Sequence, residues 1–205
     1  MVFTQGQQND IKEIAIKSFS DNFEDEKFLD VIATKLSNMV MAKIEDKLQQ
    51  LENDELSKAF DDLQQYTRRN SIRIFGLKED RNENVDQAVI SLFNDKLGVQ
   101  LSVDNIDRCH RLGVVQPGVK KPRAVIVQFT SYRYRAKVFK EKKKLKGSGI
   151  TIREELTRAR LELLNKSCEK FGFKNVWSND GVIIVNKNNR KTRIKSMHDL
   201  EIFGK

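Results

Sequence analysis

The chain has 205 residues, of which 39% are hydrophobic and 33% charged. That allows one or two small domains plus an extension, and suits a helical rod with a modest core better than one large core. The charge is split: residues 1–66 hold 7 basic and 14 acidic residues, and residues 67–205 hold 31 basic and 15 acidic. No run of about 18 apolar residues suggests a membrane span, and the first ten residues have neither a basic leader nor an apolar block.

Residues 1–23 read as a helical or disordered segment, and residues 24–67 as a coiled coil. Residues 10–66 contain no Gly and no Pro. Apolar residues recur at helical spacing through Leu29, Ile32, Leu36 and Met39, then Val40, Ile44, Leu48 and Leu51. The step from Leu51 to Leu56 is a stutter, after which Ala59, Leu63 and Tyr66 finish the stripe. A helix with one apolar stripe has nothing of its own to bury it against, so self-association is expected through Leu29, Ile32, Leu36, Met39, Ile44, Leu48, Leu51, Leu56 and Leu63.

The pattern then changes. Residues 70–77 alternate and are β-branched, which predicts a strand. A helix is expected over residues 82–97, stopped by Gly98. A second strand covers 105–112, a loop with Pro117 and Gly118 covers 113–122, and a third strand covers 123–129. Ser131 is a candidate N-cap for a helix to about Lys146. After Gly147-Ser148-Gly149, a fourth strand covers 150–153. The order β-α-β-β-α-β over residues 68–153 belongs to ferredoxin-like sheets, which include the RNA-recognition module. The fold class is therefore α+β.

Residues 154–205 read as a further small α/β unit. A helix is expected from Glu155 to Phe171, capped by Gly172 with Phe173 beyond it. Asp180-Gly181 between Val176-Trp177 and Val182–Val185 signals a hairpin. Arg193-Ile194 suggests a short strand, and Met197 to Phe203 a closing helical turn.

The chemistry points to a polyanion. Arg133, Arg135, Lys137, Lys140, Lys142, Lys143, Lys144 and Lys146 face a single Glu141 in their segment. One-sign clustering is the footprint of phosphate binding. Arg68 and Arg69 stand at the hinge, and Arg153, Arg158 and Arg160 at the junction of the fourth strand with the next helix. Arg73, Ala124 and Ile126 take positions where an RNA-recognition module carries aromatic stackers, leaving Phe75 as the one stacker. A weakly sequence-selective, electrostatic grip follows. Catalysis is not expected: His110 and His198 complete no triad, and Cys109 and Cys168 suit neither a zinc site nor a disulfide framework. Glu154-Glu155 reads as helix N-terminal charge. Two free thiols favour an intracellular compartment, cytoplasmic or nuclear.

Several segments together resemble the first-open-reading-frame proteins of LINE-type retrotransposons and the related baculovirus few-polyhedra family. They are Arg68–Gly76, Ile106–Gly113, Lys121-Pro122-Arg123, Leu145–Ile152, Leu156–Arg160 and Val176–Gly181. The resemblance implies a trimerising coil, a noncanonical RNA-recognition module and a small C-terminal domain. It also implies binding of RNA or single-stranded DNA with chaperone activity in a ribonucleoprotein particle. By it, Arg68, Arg73, Arg108, Arg111, Arg123, Arg158 and Arg160 would line the binding cleft. No cofactor, membrane or small-molecule substrate is expected. The alternative is a viral or host interaction protein whose coil and basic head bind protein partners.

Overall fold

The computed structural model describes residues 4–23, 26–114 and 121–204. The expected loop residues Pro117 and Gly118 lie outside them. The fold is mixed α/β, a long helix followed by antiparallel sheets. The chain forms two compact units, one up to Lys58 and one from Ala59 onward.

The first unit holds α1 (Gln5–Phe23) and most of α2 (Glu26–Thr67). Without Gly or Pro, α2 runs unbroken for 42 residues. Its apolar residues have no cover: Leu29, Leu36, Met39, Ile44, Leu48, Leu51, Leu56 and Leu63 are all exposed, Leu36 at 56% and Leu56 at 70%. Ile32 is half-buried.

The second unit, the head, includes the last turns of α2 and two lobes. The first lobe is a four-stranded antiparallel sheet in the order β2-β3-β1-β4, built from β1 (Ser71–Phe75), β2 (Ile106–Arg111), β3 (Val125–Phe129) and β4 (Thr151–Glu154). Alternation sends Ile72, Ile74, Val125, Val127, Phe129 and Ile152 to one face. There they meet Val89, Phe93, Leu97 and Val138. Each such buried side chain contributes about 1.5–3 kcal/mol.

The helix expected over 82–97 is two pieces. α3 (Val85–Ser91) starts at Asn84, whose Oδ1 accepts from Gln87 N at 3.0 Å. A π-helical turn, Leu92–Leu97, follows. The widened turn buries Leu92, Phe93 and Leu97 together, and the ring of Phe93 lies 5.8 Å from that of Phe129. α4 (Tyr132–Glu141) is capped by Ser131 and tightens into a 3-10 turn over Lys142–Leu145. At the ends of β1 and β4, Gly76 has φ +81°, and a Cβ there would fall 2.2 Å from Gly149 O. Only glycine fits that approach.

The second lobe packs α5 (Arg158–Phe171) and α6 (Met197–Gly204) on a sheet of β5 (Val176–Asn179), β6 (Val182–Lys187) and β7 (Arg190–Ile194). Asp180 and Gly181 both have positive φ, 49° and 77°, as a two-residue hairpin turn of primed type requires. α5 begins at Arg158 with Thr157 as N-cap. That corrects the reading of Glu154-Glu155 as helix N-terminal charge: Glu154 ends β4 and Glu155 sits in the connection.

Candidate nucleic-acid interface

Two consecutive carboxylates organise the junction of the lobes. Strand alternation turns Glu154 inward, where it pairs with Arg135 of α4 and accepts from Asp180 N at 2.7 Å and Gly181 N at 3.3 Å. It thus holds the β5–β6 turn of the second lobe against the sheet of the first. Arg135 also donates to Asp180 Oδ1 at 3.0 Å, and its guanidinium lies 4.3 Å from the Phe139 ring centroid. Glu155 turns the other way and takes Arg73 and Arg68, with Arg73 Nη2 donating at 2.7 Å and Arg68 Nη1 at 3.2 Å. The carboxylate raises the pKa of Arg73 above its usual value by hydrogen bonding, with a smaller coulombic contribution.

The end of α2 docks on the same junction. Gln65, 6% exposed, donates to Glu155 O at 2.9 Å, and its Oε1 accepts from Thr157 N at 3.0 Å. Arg160 donates to Asp61 Oδ2 at 2.7 Å, to Asp62, and to Gly181 O at 3.2 Å. A cleft of about 550 Å³ opens here, lined by Arg68, Arg69, Arg135 and Arg160 and by the carboxylates Asp62, Glu154, Glu155 and Asp180.

A second groove of about 490 Å³ runs between the lobes. Lys142, Lys143, Lys146 and Arg153 supply its cations, and Trp177, Phe173, Leu161 and Ile150 its apolar surface. Phe173 is 82% exposed. The Lys142 ammonium sits 3.5 Å from the Phe139 ring centroid, and burial lowers its pKa. Phosphates at the lysines and bases on the rings is an arrangement this groove can accept.

The expected contact residues divide accordingly. Arg68, Arg69 and Arg160 meet at the cleft, and Lys143, Lys146 and Arg153 at the groove. Arg69 stacks over Tyr66 at 3.8 Å. On the open face of the four-stranded sheet, the cross-strand row His110, Ile126, Arg73, Arg153 lies beside half-buried Phe75, whose ring centroid is 5.5 Å from the Arg153 guanidinium. Arg108, Lys140 and Arg158 are exposed. Lys144 is drawn to Leu97 O at 2.7 Å and Glu141 at 3.0 Å.

Arg111 lines a separate cavity with Arg123, and its own donors are taken up by the protein. It is 8% exposed, and its guanidinium donates to Glu83, Leu77 O, Lys78 O and Arg123 O. With its donors spent on the β1–α3 connection, it is a strut. Arg123 supports the same loop, donating to Glu79 Oε1 at 2.7 Å and Gly113 O at 2.8 Å. Its guanidinium holds the Glu79 carboxyl below the usual carboxylate range.

Gln65, Asp61, Asp62, Glu154 and Glu155 were not among the expected site residues, and neither were Trp177 and Phe173. Cys168 is buried and Cys109 half-buried against the core. Among the described residues, no group of three His, Cys, Asp or Glu could hold a metal, and no helix is long and apolar enough to cross a membrane. In comparison with known proteins, no protein-family model matches the chain and no curated protein matches it.

Proposed function

We propose that the chain is a non-enzymatic, homo-oligomeric protein that binds RNA or single-stranded DNA with little sequence selectivity. The observation that carries this reading is the lysine-edged, aromatic-floored groove in a head with a large cationic surplus. The head from Ala59 onward has 31 basic against 17 acidic residues. Four of its cations, Lys142, Lys143, Lys146 and Arg153, border Trp177 and Phe173 in one groove. The strand order β2-β3-β1-β4 supports an RNA-recognition-type sheet, with the second lobe as a C-terminal binding domain. The uncovered apolar face of α2 supports self-association, trimeric by the resemblance. Linking several weak heads raises their avidity. In the terms of that resemblance the protein is a retrotransposon-type nucleic-acid chaperone within a ribonucleoprotein particle.

The test is filter binding of a fluorescent single-stranded oligonucleotide across salt concentrations. The affinity falls steeply, with a slope of about −0.7 per phosphate contact on a log–log plot. A flat curve rejects the mechanism.

A second reading is favoured by the exposed α2 face alone: a viral or host interaction protein whose coil pairs with another coil. Excess RNA separates the two. A partner complex indifferent to RNA favours the second reading.

A further inference from the structure

The cleft at the end of α2 is electrically balanced, with four arginines facing four carboxylates. A phosphate finds no free edge on Arg160 until a carboxylate leaves, and the carboxylates differ in how firmly they are held. Glu154 has 2% of its side chain exposed and accepts from two backbone N–H groups as well as from Arg135. Glu155 is 7% exposed and holds two arginines. Removing Glu154 takes the buried counter-charge from Arg135, and removing Glu155 takes the shared counter-charge from Arg68 and Arg73. Asp62 is the opposite case: its side chain is 77% exposed, and among the described residues it pairs with Arg160 alone. Its neighbour Asp61, 25% exposed, binds the same guanidinium at 2.7 Å. The exposed Asp62 pair is worth about 0–1 kcal/mol, and the half-buried Asp61 pair is held more firmly.

Two carboxylate oxygens on one guanidinium, one at Nε and one at Nη2, present the same geometry as the two non-bridging oxygens of a phosphodiester. The position is fixed from behind. Arg160 Nη1 donates to Gly181 O at 3.2 Å, and a Cβ on Gly181 would fall 2.5 Å from Gln65 Cγ and 2.8 Å from Arg160 Nη1. Gln65 anchors the same helix end through the backbone of Glu155 and Thr157.

We propose that Asp61 and Asp62 occupy a phosphodiester seat at Arg160, and that single-stranded nucleic acid takes this cleft by displacing them. This rests on the nucleic-acid reading above and adds to it an internal competitor: the acidic end of α2 inhibits its own head. Asp62 leaves first and Asp61 follows, because exposure orders them that way.

The test uses the full chain and a fluorescent 20-nucleotide oligo(dT) at about 20 mM salt, where phosphate contacts are strongest. Asp61→Asn with Asp62→Asn binds roughly fivefold more tightly than wild type, the yield of releasing one exposed and one half-buried pair. Asp54→Asn with Glu55→Gln makes the same change in net charge and gains less than about twofold. In an Arg160→Ala background the gain from D61N/D62N falls to that control level. Thermal melting verifies the fold, and Asp62→Asn alone, at the more exposed carboxylate, gains part of the effect should the double variant be unstable. Hydrogen exchange on wild type shows the amides of residues 61–67 losing protection when oligo(dT) binds.

A gain no larger than the control, or added protection at 61–67, overturns the displacement while leaving nucleic-acid binding intact. Binding by the variant where wild type shows none supports it. Failure of both to bind removes the functional reading and the displacement together.

Discussion

Glu154 and Arg135 pair in the interior of the head with 2% and 4% of their side chains exposed. The carboxylate also receives the N–H groups of Asp180 and Gly181, so one side chain joins α4, β4 and the β5–β6 turn. Arg135 already has a buried Nε without a partner. Glu154→Ala leaves that cation with the half-exposed Asp180 carboxylate as its remaining counter-charge and costs about 3 kcal/mol in urea denaturation. Replacing both residues by Leu removes the stranded charge and recovers part of the loss. The two backbone N–H groups stay unpaired, so recovery is incomplete. A loss below about 1 kcal/mol for Glu154→Ala rejects the clamp.

The proposed function assigns charge and stacking to different residues of the groove, and the following changes test it. Lys143→Ala with Lys146→Ala removes two phosphate contacts, weakens binding of every sequence alike and reduces the salt slope by about 1.4. Trp177→Ala removes a platform and costs about 1–3 kcal/mol of affinity with the slope unchanged. Binding titrations at four salt concentrations measure both. A slope that moves with Trp177 and not with the lysines inverts the assignment.

Both thiols are chemically quiet in the folded head. Burial, with a smaller contribution from Asp86, pushes the Cys109 thiol up to about 12, and burial raises that of Cys168. A thiol raised on folding favours the neutral form. Its stabilising contribution is whole below the ordinary thiol pKa near 9, and it is lost as pH climbs from there toward about 12. Labelling with a thiol reagent at pH 8 is therefore slow for native protein and rapid in denaturant. Fast native labelling of Cys109 counts against the packing described.

Under the proposed self-association, Leu36→Glu with Leu48→Glu places charge among the exposed apolar residues of α2 and gives a monomer by sedimentation where wild type is an oligomer. A wild-type monomer rejects the proposal. The heads fold as before, since neither residue belongs to their compact unit. Affinity for a long single strand drops by about 10²-fold or more, because linked heads no longer act together. Affinity for an oligonucleotide that fills one head is unchanged.

Periodicity made most elements legible. The alternation at Ser71–Phe75 and the Asp180-Gly181 turn predicted strand and hairpin at nearly their observed limits. The π-helical turn at Leu92–Leu97 was not legible, because widening a turn preserves an apolar-rich run. The site was legible only as a class of residue. Arginines were expected to face solvent or ligand, yet Arg111 is spent on partners 12 to 34 residues away, and Arg160 on acids 98 and 99 residues away. Nothing local marks an ion pair that spans so much chain. The acids of α2 read as coil charge for the same reason.

The opposed orientation of Glu154 and Glu155 makes the lobe junction a reader of register. Side chains alternate with a period of two along β4, so a slip of one residue exchanges these neighbours. The inner anion would then meet the open sheet face, and the outer one the hairpin turn. A single residue inserted within β4 would thus unfasten α4, the hairpin and the end of α2 at once.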